Sequence, residues 1–461
     1  MEDKFSSQET IAAIATFPAK AGIGVIKVSG NRALRIASKI FSPKKKKDVR
    51  RAKTYTMHYG FIKDGREVID EVVLGIMRKP YSYTREDVIE IYSHSGAAVL
   101  TRILDLTLNK GARLAEPGEF TKRAFLSGRI DLVQAEAVLD IVEAKSEGAL
   151  RMSVFQVKGE LSKLVEETSG EIERIEEEIE AEVSFPEEER GFDVKKVLLQ
   201  IKRVEGRIKG LLKDSGKVRF LREGIKCVIC GRANVGKSSL LNMLLRKERV
   251  IVTPFAGTTR DVVEEDINIL GLPLTISDTA GILETKDLTS EKALEKSYEK
   301  LEEADLVISV FDYSRKFSKE DKFVLEKVKD KNAVLVVNKI DLPKKLDIEL
   351  LKKHGIPLVE MSVLKSLGLG KLEKTIYKQA GIKPLDNRKG NSLVSNIRHI
   401  NLLKDALKGL KSAEGYLSKR GLLDSALFSI KSAGEKIKEI TGKNLSRDVL
   451  DNIFSRFCIG K

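Results

Sequence analysis

The chain has 461 residues, 42% of them apolar, which suits about three domains each with its own core, and with only ten prolines no long disordered linkers are expected. A formal net charge of +15 suits a polyanionic partner, although with 33% charged residues a heat-adapted or lysine-rich surface gives the same balance. No run approaches roughly eighteen apolar residues and no charged-apolar-small pattern opens the chain, so neither a membrane span nor a secretion signal is expected, and the expected compartment is cytoplasmic. Three cysteines fit that compartment, and four scattered histidines leave no zinc cluster to assemble.

Residues 1–124 alternate short apolar runs with turns, at Ile11 to Phe17, Gly24 to Val28, Val68 to Met77 and Val88 to Tyr92. This predicts a small α+β domain with a mainly antiparallel or mixed sheet. Taken alone, Glu90 is a charge on a strand face and Arg129 a helix cap. Residues 125–218 switch to helical period, with Leu132, Ala135, Leu139 and Val142 on one face. The acidic span Glu166 to Glu189, interrupted by Ile172, Ile175 and Ile179, predicts a long exposed helix stopped by Pro186.

Residues 219–383 carry the chemistry. The apolar run Ile225 to Ile229 leads into Gly231-Arg232-Ala233-Asn234-Val235-Gly236-Lys237-Ser238-Ser239, the pattern G-x-x-x-x-G-K-S. Its glycines let successive backbone N–H groups close around nucleotide phosphates, Lys237 adds a charge at the β- and γ-phosphates, and the Ser238 hydroxyl suits Mg²⁺. A helix-forming series follows, and a helix N-terminus aims free N–H groups at an anion. A second apolar strand ends in Asp278-Thr279-Ala280-Gly281, placed to reach Mg²⁺ and the γ-phosphate. A third, Ala333 to Val337, ends in Asn338-Lys339-Ile340-Asp341. The Asp341 carboxylate can accept from N1–H and the exocyclic amine of guanine, donors that adenine does not present in that arrangement. Together these predict a GTP-binding domain with a mostly parallel sheet flanked by helices. Cys227 and Cys230 fall in the strand before the loop and are expected in the core.

Hydrolysis needs an oriented water and neutralised charge. Ras-like switches place a glutamine after Asp-x-x-Gly, but here the residue is Ile282, which cannot hold a water. Two other features offer the chemistry: the amide of Asn234 inside the loop, and the switch-like segment Thr253-Pro254-Phe255-Ala256-Gly257-Thr258-Thr259-Arg260-Asp261.

A second helical block, 384–461, runs from Leu393 through Phe428 to Ile440 and ends in Cys458-Ile459-Gly460-Lys461. That terminus is a poor prenylation box, and the ordinary reading of Cys458 is a buried thiol at a helix end. Residues 219–383 are then an insertion between two parts of one helical domain, where a switch ordered by the γ-phosphate could move helices on both sides.

The motifs from Gly257 to Asp261, Asp278 to Gly281 and Asn338 to Asp341 resemble those of the MnmE (TrmE) family of bacterial tRNA-modification GTPases. The likeness extends to Glu116-Pro117-Gly118-Glu119-Phe120-Thr121-Lys122-Arg123-Ala124-Phe125-Leu126 and to the terminal Phe457-Cys458-Ile459-Gly460-Lys461, and so covers essentially the whole chain. The resemblance implies that K⁺ replaces an arginine finger, held by Asn234 and by Thr253, Phe255 and Thr258, with Thr259 and Ser238 on Mg²⁺. The GTP-binding set then comprises Gly231, Asn234, Val235, Gly236, Lys237, Ser238, Ser239, Thr253, Thr258, Thr259, Asp278, Thr279, Ala280, Gly281, Asn338, Lys339, Asp341 and Ser362. Catalytic positions are Asn234, Arg260, the water-orienting Glu291 and Cys458. Residues 1–124 are implied to dimerise and to bind 5,10-methylene- or 5-formyl-tetrahydrofolate through Lys27, Glu90, Arg129 and Lys461. The implied partners are a second copy of the chain, tRNA and the flavoprotein MnmG, which carries FAD and NAD(H). Three departures stand out: Ala233 replaces the family's usual proline, Lys27 its usual arginine, and at the water-orienting place, where Glu291 is the candidate, a gapless alignment can put Ser290 instead. A rival reading is a ribosome-assembly GTPase that docks on rRNA, and another is a nucleotide-gated scaffold. Neither predicts folate binding.

Overall fold

The computed structural model describes residues 9–17, 21–45, 48–184, 192–213, 215, 220, 224–248, 264–278, 301–381, 394–419 and 422–461. The chain divides into two compact units. The first comprises residues 1–139, 156–170 and 434–461, and the second comprises residues 140–155 and 171–433.

The first unit is built on a seven-stranded sheet in the order β3-β4-β5-β6-β2-β1-β7. Its strands are β1 (Ile11–Ile14), β2 (Ala21–Ser29), β3 (Phe41–Pro43), β4 (Thr56–Asp64), β5 (Glu67–Met77), β6 (Val88–Ser95) and β7 (Arg113–Leu114). The pairing is antiparallel except for β1 with β7, the mixed sheet that the sequence predicts. Alternation along the strands sends Ile26, Val28, Leu74, Ile76, Ile89 and Ile91 to one face. There helices α1 (Ala33–Ile40) and α2 (Ala97–Asn109) cover them with Ile36, Ile40, Leu100 and Ile103. The other face carries Ile11 and Ala13, which pack with Ala115, Phe120 and Tyr83.

Helix α3 (Glu119–Leu126) opens the helical part of this unit, and α4 (Leu132–Glu143) follows. Asp131 and Gln134 cap α4 reciprocally, each side chain accepting from the other's backbone N–H. Leu132 and Ala135 are buried against Leu450, Phe454 and Phe457. The predicted apolar face runs on through Leu139, half-buried against the same cluster, and stops before Val142, which is exposed.

Beyond α5 (Glu147–Val157), the acidic span forms α6 (Glu160–Ser184), but not as a helix exposed all round. Ile172, Ile175 and Ile179 are buried, so the apolar interruptions are the packing stripe, while Glu166, Glu167, Glu177 and Glu180 are exposed. Helix α7 (Val194–Leu212) is capped by Asp193, whose carboxylate accepts from the backbone N–H groups of Lys195 and Lys196. Pro186 lies outside the described residues.

The second sheet has six strands in the order β13-β12-β11-β8-β10-β9. They are β8 (Ile225–Cys230), β9 (Glu264–Ile269), β10 (Leu272–Asp278), β11 (Leu306–Asp312), β12 (Ala333–Asn338) and β13 (Leu358–Glu360). Only β9 with β10 is antiparallel. The parallel strands are buried on both faces, as their continuous apolar runs require. Cys227 joins one apolar cluster with Ile225 and Ile229, while Cys230 joins the other with Val228. Burial pushes both thiols up, Cys230 to about 11, which agrees with inert core cysteines. Helices α8 (Lys237–Glu248), α9 (Lys319–Val328), α10 (Glu349–Lys352) and α11 (Leu369–Gln379) accompany this sheet. The chain closes with α12 (Ile397–Leu417), α13 (Leu423–Ile440) and α14 (Arg447–Phe454). Phe428, read as part of the helical block, lies on α13 with its ring exposed.

Candidate functional site

The phosphate loop runs from the end of β8 to the first turn of α8, and backbone geometry explains its residue types. Gly231 sits at φ +144°, where a Cβ would stand 2.4 Å from the Val310 carbonyl oxygen. Gly236 sits at φ +103°, where a Cβ would stand 2.4 Å from Asn338 Nδ2. Neither position tolerates a side chain. Asn234 is also left-handed, at φ +65°, a region that Asn visits more readily than other residues with a side chain. Ser238, Ser239 and Asn234 are exposed at the mouth, Val235 is buried beneath, and the buried Lys237 Nζ donates to the Arg232 carbonyl at 3.0 Å.

The strand end at β12 is tied directly to this loop. Asn338 Nδ2 donates to the Val235 carbonyl at 2.9 Å, and its Oδ1 accepts from the Val363 backbone N–H at 3.1 Å. Lys339 Nζ donates to the Asn234 carbonyl at 2.6 Å and to Asp312 Oδ2 at 2.7 Å. Consecutive residues of one motif thus hold consecutive carbonyls of the other. Asp341 is exposed and accepts from the Ser362 hydroxyl, which in turn accepts from the Lys365 backbone N–H at 3.1 Å. The carboxylate is therefore oriented at the open end of the motif, where a base edge with two donors fits. The glycine-lined loop and this strand end suit a guanine nucleotide, with Ser238 available to a Mg²⁺ on the phosphates.

The backbone of Asp278 ends β10 in register with Ile229, beside the strand that feeds the loop. Thr253, Phe255, Thr258, Thr259, Arg260, Thr279, Ala280, Gly281, Ile282 and Glu291 lie outside the described residues.

A second cluster lies on the sheet of the first unit, on the face that α1 and α2 leave uncovered. Cα pairing sets Ala13 against Lys27 and Lys27 against Glu90 across three adjacent strands. Lys27 Nζ lies 4.0 Å from Glu90 Oε1, and the Tyr92 hydroxyl donates to Glu90 Oε2. That hydrogen bond, with burial adding, raises the Tyr92 phenol to about 12. The C-terminal tail comes to the same place. The Gly118 N–H donates to the Cys458 carbonyl at 3.4 Å, and the Phe120 N–H donates to a Lys461 oxygen at 3.1 Å. Gly460, at φ +92°, passes so close to β1 that a Cβ would stand 2.7 Å from the Ile14 carbonyl oxygen. Partial burial lowers the Lys461 ammonium, with the charge of Lys27 adding to the effect. Two amines and a carboxylate-phenol pair on one face suit an anionic ligand whose ring presents N–H donors.

Arg129 does cap α3, its backbone N–H donating to the Ala124 carbonyl at 3.0 Å, while its guanidinium stacks 4.8 Å from the Tyr83 ring centroid. One ordinary reading needs correction here: Cys458 is exposed rather than buried.

Sequence reasoning missed three further residues. Tyr92 stands two positions from Glu90 on one strand face, a period-2 signal that was available. Asp312 closes the apolar run of β11, and Ser314 follows it. The conspicuous Glu116 to Leu126 motif is also explained. Arg123 pairs at 2.9 Å with Glu119 and at 3.0 Å with Glu86, while Arg113 holds Glu119 at 2.7 Å. This largely buried ion network fixes the α3 start against which the tail lies.

Two family models match the chain, one for the GTP-binding protein TrmE N-terminus over residues 10–129 and one for the MnmE helical domain over residues 132–458. The tRNA modification GTPase MnmE of Thermoanaerobacter pseudethanolicus is 44% identical over 459 residues, covering 98% of this chain and 99% of that protein. The same-named protein of Streptococcus agalactiae is 42% identical over 461 residues, covering 98% of each. Among solved structures, Era from Aquifex aeolicus is 31% identical, covers 40% of this chain and 66% of that one, and has a TM-score of 0.28. On the family models and the full-length identity, the chain belongs to the MnmE family of tRNA modification GTPases, GTP hydrolases that act in tRNA modification.

Proposed function

We propose that this chain is a K⁺-stimulated GTPase that, with a flavoprotein partner of the MnmG type carrying FAD, adds a carboxymethylaminomethyl-type group to C5 of the wobble uridine of certain tRNAs. The observation that carries the reading is the coexistence, in one chain, of a guanine-reading strand end bonded to a phosphate loop and a Lys27–Glu90–Lys461 cluster on a separate sheet. Tetrahydrofolate, as the 5,10-methylene or 5-formyl form, would supply the one-carbon unit when bound. Glu90, buttressed by Tyr92, accepts from the pterin N–H groups, while Lys27, Lys461 and Arg129 meet its carboxylates. Cys458, exposed beside Lys461, is the thiol of that site.

In the GTPase domain, 219–383, inserted between helical parts 125–218 and 384–461, Asn234 presents its amide to K⁺ together with Thr253, Phe255 and Thr258. A fixed cation there stabilises charge developing between the phosphates. Ser238 and Thr259 hold Mg²⁺, Asp341 reads the base, and Arg260 and Glu291 complete the switch side. The working form is a cytoplasmic homodimer.

Turnover measured in K⁺ and in Na⁺ tests the first half. K⁺ should accelerate GTP hydrolysis and Na⁺ should not, and Asn234→Ala should abolish the difference, a loss of about 10³-fold or more if the ion replaces an arginine finger. Equal rates in both salts, or an unaffected Asn234→Ala variant, would refute it. Titrating 5-formyl-tetrahydrofolate against the protein and its Glu90→Ala variant tests the second half. No binding to the unsubstituted protein would favour a ribosome-assembly GTPase instead.

A further inference from the structure

Asp312 is buried, at 1% exposure, and its two oxygens face different partners. Oδ1 accepts from the Ser314 backbone N–H at 2.9 Å and from its hydroxyl at 2.7 Å, which closes the turn after β11. Oδ2 accepts from Lys339 Nζ at 2.7 Å, with Arg315 Nε farther off at 3.7 Å. The register explains the meeting, because Asp312 and Asn338 are paired at the ends of parallel strands and Lys339 is the next residue. Lys339 itself is left-handed, at φ +68°, and its Nζ continues to the Asn234 carbonyl at 2.6 Å. A non-glycine residue in that region costs of order 1 kcal/mol or more and persists only where its surroundings hold it. Asn234 is also left-handed, and the Lys339 hydrogen bond to its carbonyl is one of the contacts that hold the loop there, beside that of Asn338 to the Val235 carbonyl. The line Asp312–Lys339–Asn234 therefore runs from a buried anion, through a cation, to an exposed residue of the phosphate loop.

We propose that Asp312 is a positioning residue for the monovalent cation: acting through Lys339, it fixes the backbone of Asn234 and so presents the Asn234 amide to K⁺. This rests on the K⁺ reading given above. One carboxylate then serves two sites, since Lys339 also belongs to the guanine-reading motif. The divided use of the two oxygens separates this role from a purely structural one. Loss of the Ser314 bonds loosens a turn, whereas loss of the Lys339 bond releases Asn234.

The test is GTP turnover as a function of K⁺ concentration for the full chain, for Asp312→Asn, for Lys339→Met and for Ser314→Ala, with thermal unfolding recorded for each. Asp312→Asn and Lys339→Met should each raise the half-activating K⁺ concentration by about fivefold or more, the low end of ordinary coupling between sites. Ser314→Ala should leave it within about twofold, and the double variant should shift it no further than the larger single one, because both cut the same line. Should Asp312→Asn fail to fold, Lys339→Met, whose side chain is partly exposed, decides the matter. Unchanged K⁺ dependence in the variants that fold, with only rate or melting temperature lowered, overturns the proposal. An unsubstituted protein indifferent to K⁺ would instead overturn the cation reading beneath it.

Discussion

Gly236 and Tyr92 show how single residues set the two sites. At Gly236 a methyl group would have to displace Asn338 Nδ2, the atom that ties β12 to the loop. Gly236→Ala should therefore lower GDP affinity by at least about tenfold, since the hydrogen bond to the Val235 carbonyl and the loop conformation are lost together. Equilibrium titration with a fluorescent GDP checks this, and unchanged affinity would mean that the loop can shift without Asn338. At Tyr92 the prediction concerns pH. The phenol is raised to about 12 by the hydrogen bond to Glu90 and by burial, so the folded protein keeps this proton more firmly than an unfolded chain does. Its stabilising contribution is therefore complete below the ordinary phenol value near 10 and is lost as pH rises toward about 12. The alkaline branch of the stability profile should flatten in Tyr92→Phe between those limits, and an identical branch in the variant would show that the phenol is not held by Glu90.

Among the elements, three of the six strands of the second sheet were legible because their apolar runs end in motif residues: β8 feeds the loop, β10 ends at Asp278, and β12 ends at Asn338. Alternation likewise gave the mixed sheet of the first unit. What local pattern could not give is the meeting of remote segments. Nothing near Gly118 in sequence announces that Phe454, Phe457 and Cys458 return to it, and the helical period through Val142 does not say where the covering partner ends. Asp312 belongs to none of the sequence motifs, and its role appears only in the register, which pairs it with Asn338 and so sets it beside Lys339. The α3 start carries the corresponding prediction. Gly118 is at φ +66°, and a Cβ there would stand 2.6 Å from the Phe454 carbonyl oxygen and 2.9 Å from Phe457 Cβ. Gly118→Ala should cost about 2 to 4 kcal/mol, from backbone strain plus overpacking. Differential scanning calorimetry should show the loss, and folate affinity should fall with it as Lys461 leaves Lys27. A variant with unchanged melting and folate binding would mean that the tail has another anchor.

For the molecule as a whole, the sheet of the first unit poses a question that its own chain does not answer. Strand β4 alternates, sending Gly60 and Ile62 inward, while Met57 at 63% exposure and Tyr59 at 45% stand on the opposite face with Phe61. A run of large apolar side chains on one face of a strand is the kind of patch that marks an interaction site. A net charge of +15 keeps copies apart unless such a patch draws them together. A twofold pairing of two such faces would be self-complementary, the commonest solution for a homodimer. If that is how the proposed dimer forms, two charges on the patch should prevent it, because a carboxylate buried without a partner costs several kcal/mol. Light scattering on the Met57→Asp/Tyr59→Asp double variant should then give a mass near 51.3 kDa where the unsubstituted protein gives twice that. Both residues are exposed, so circular dichroism should be unchanged, and a variant that folds and still dimerises would move the interface elsewhere.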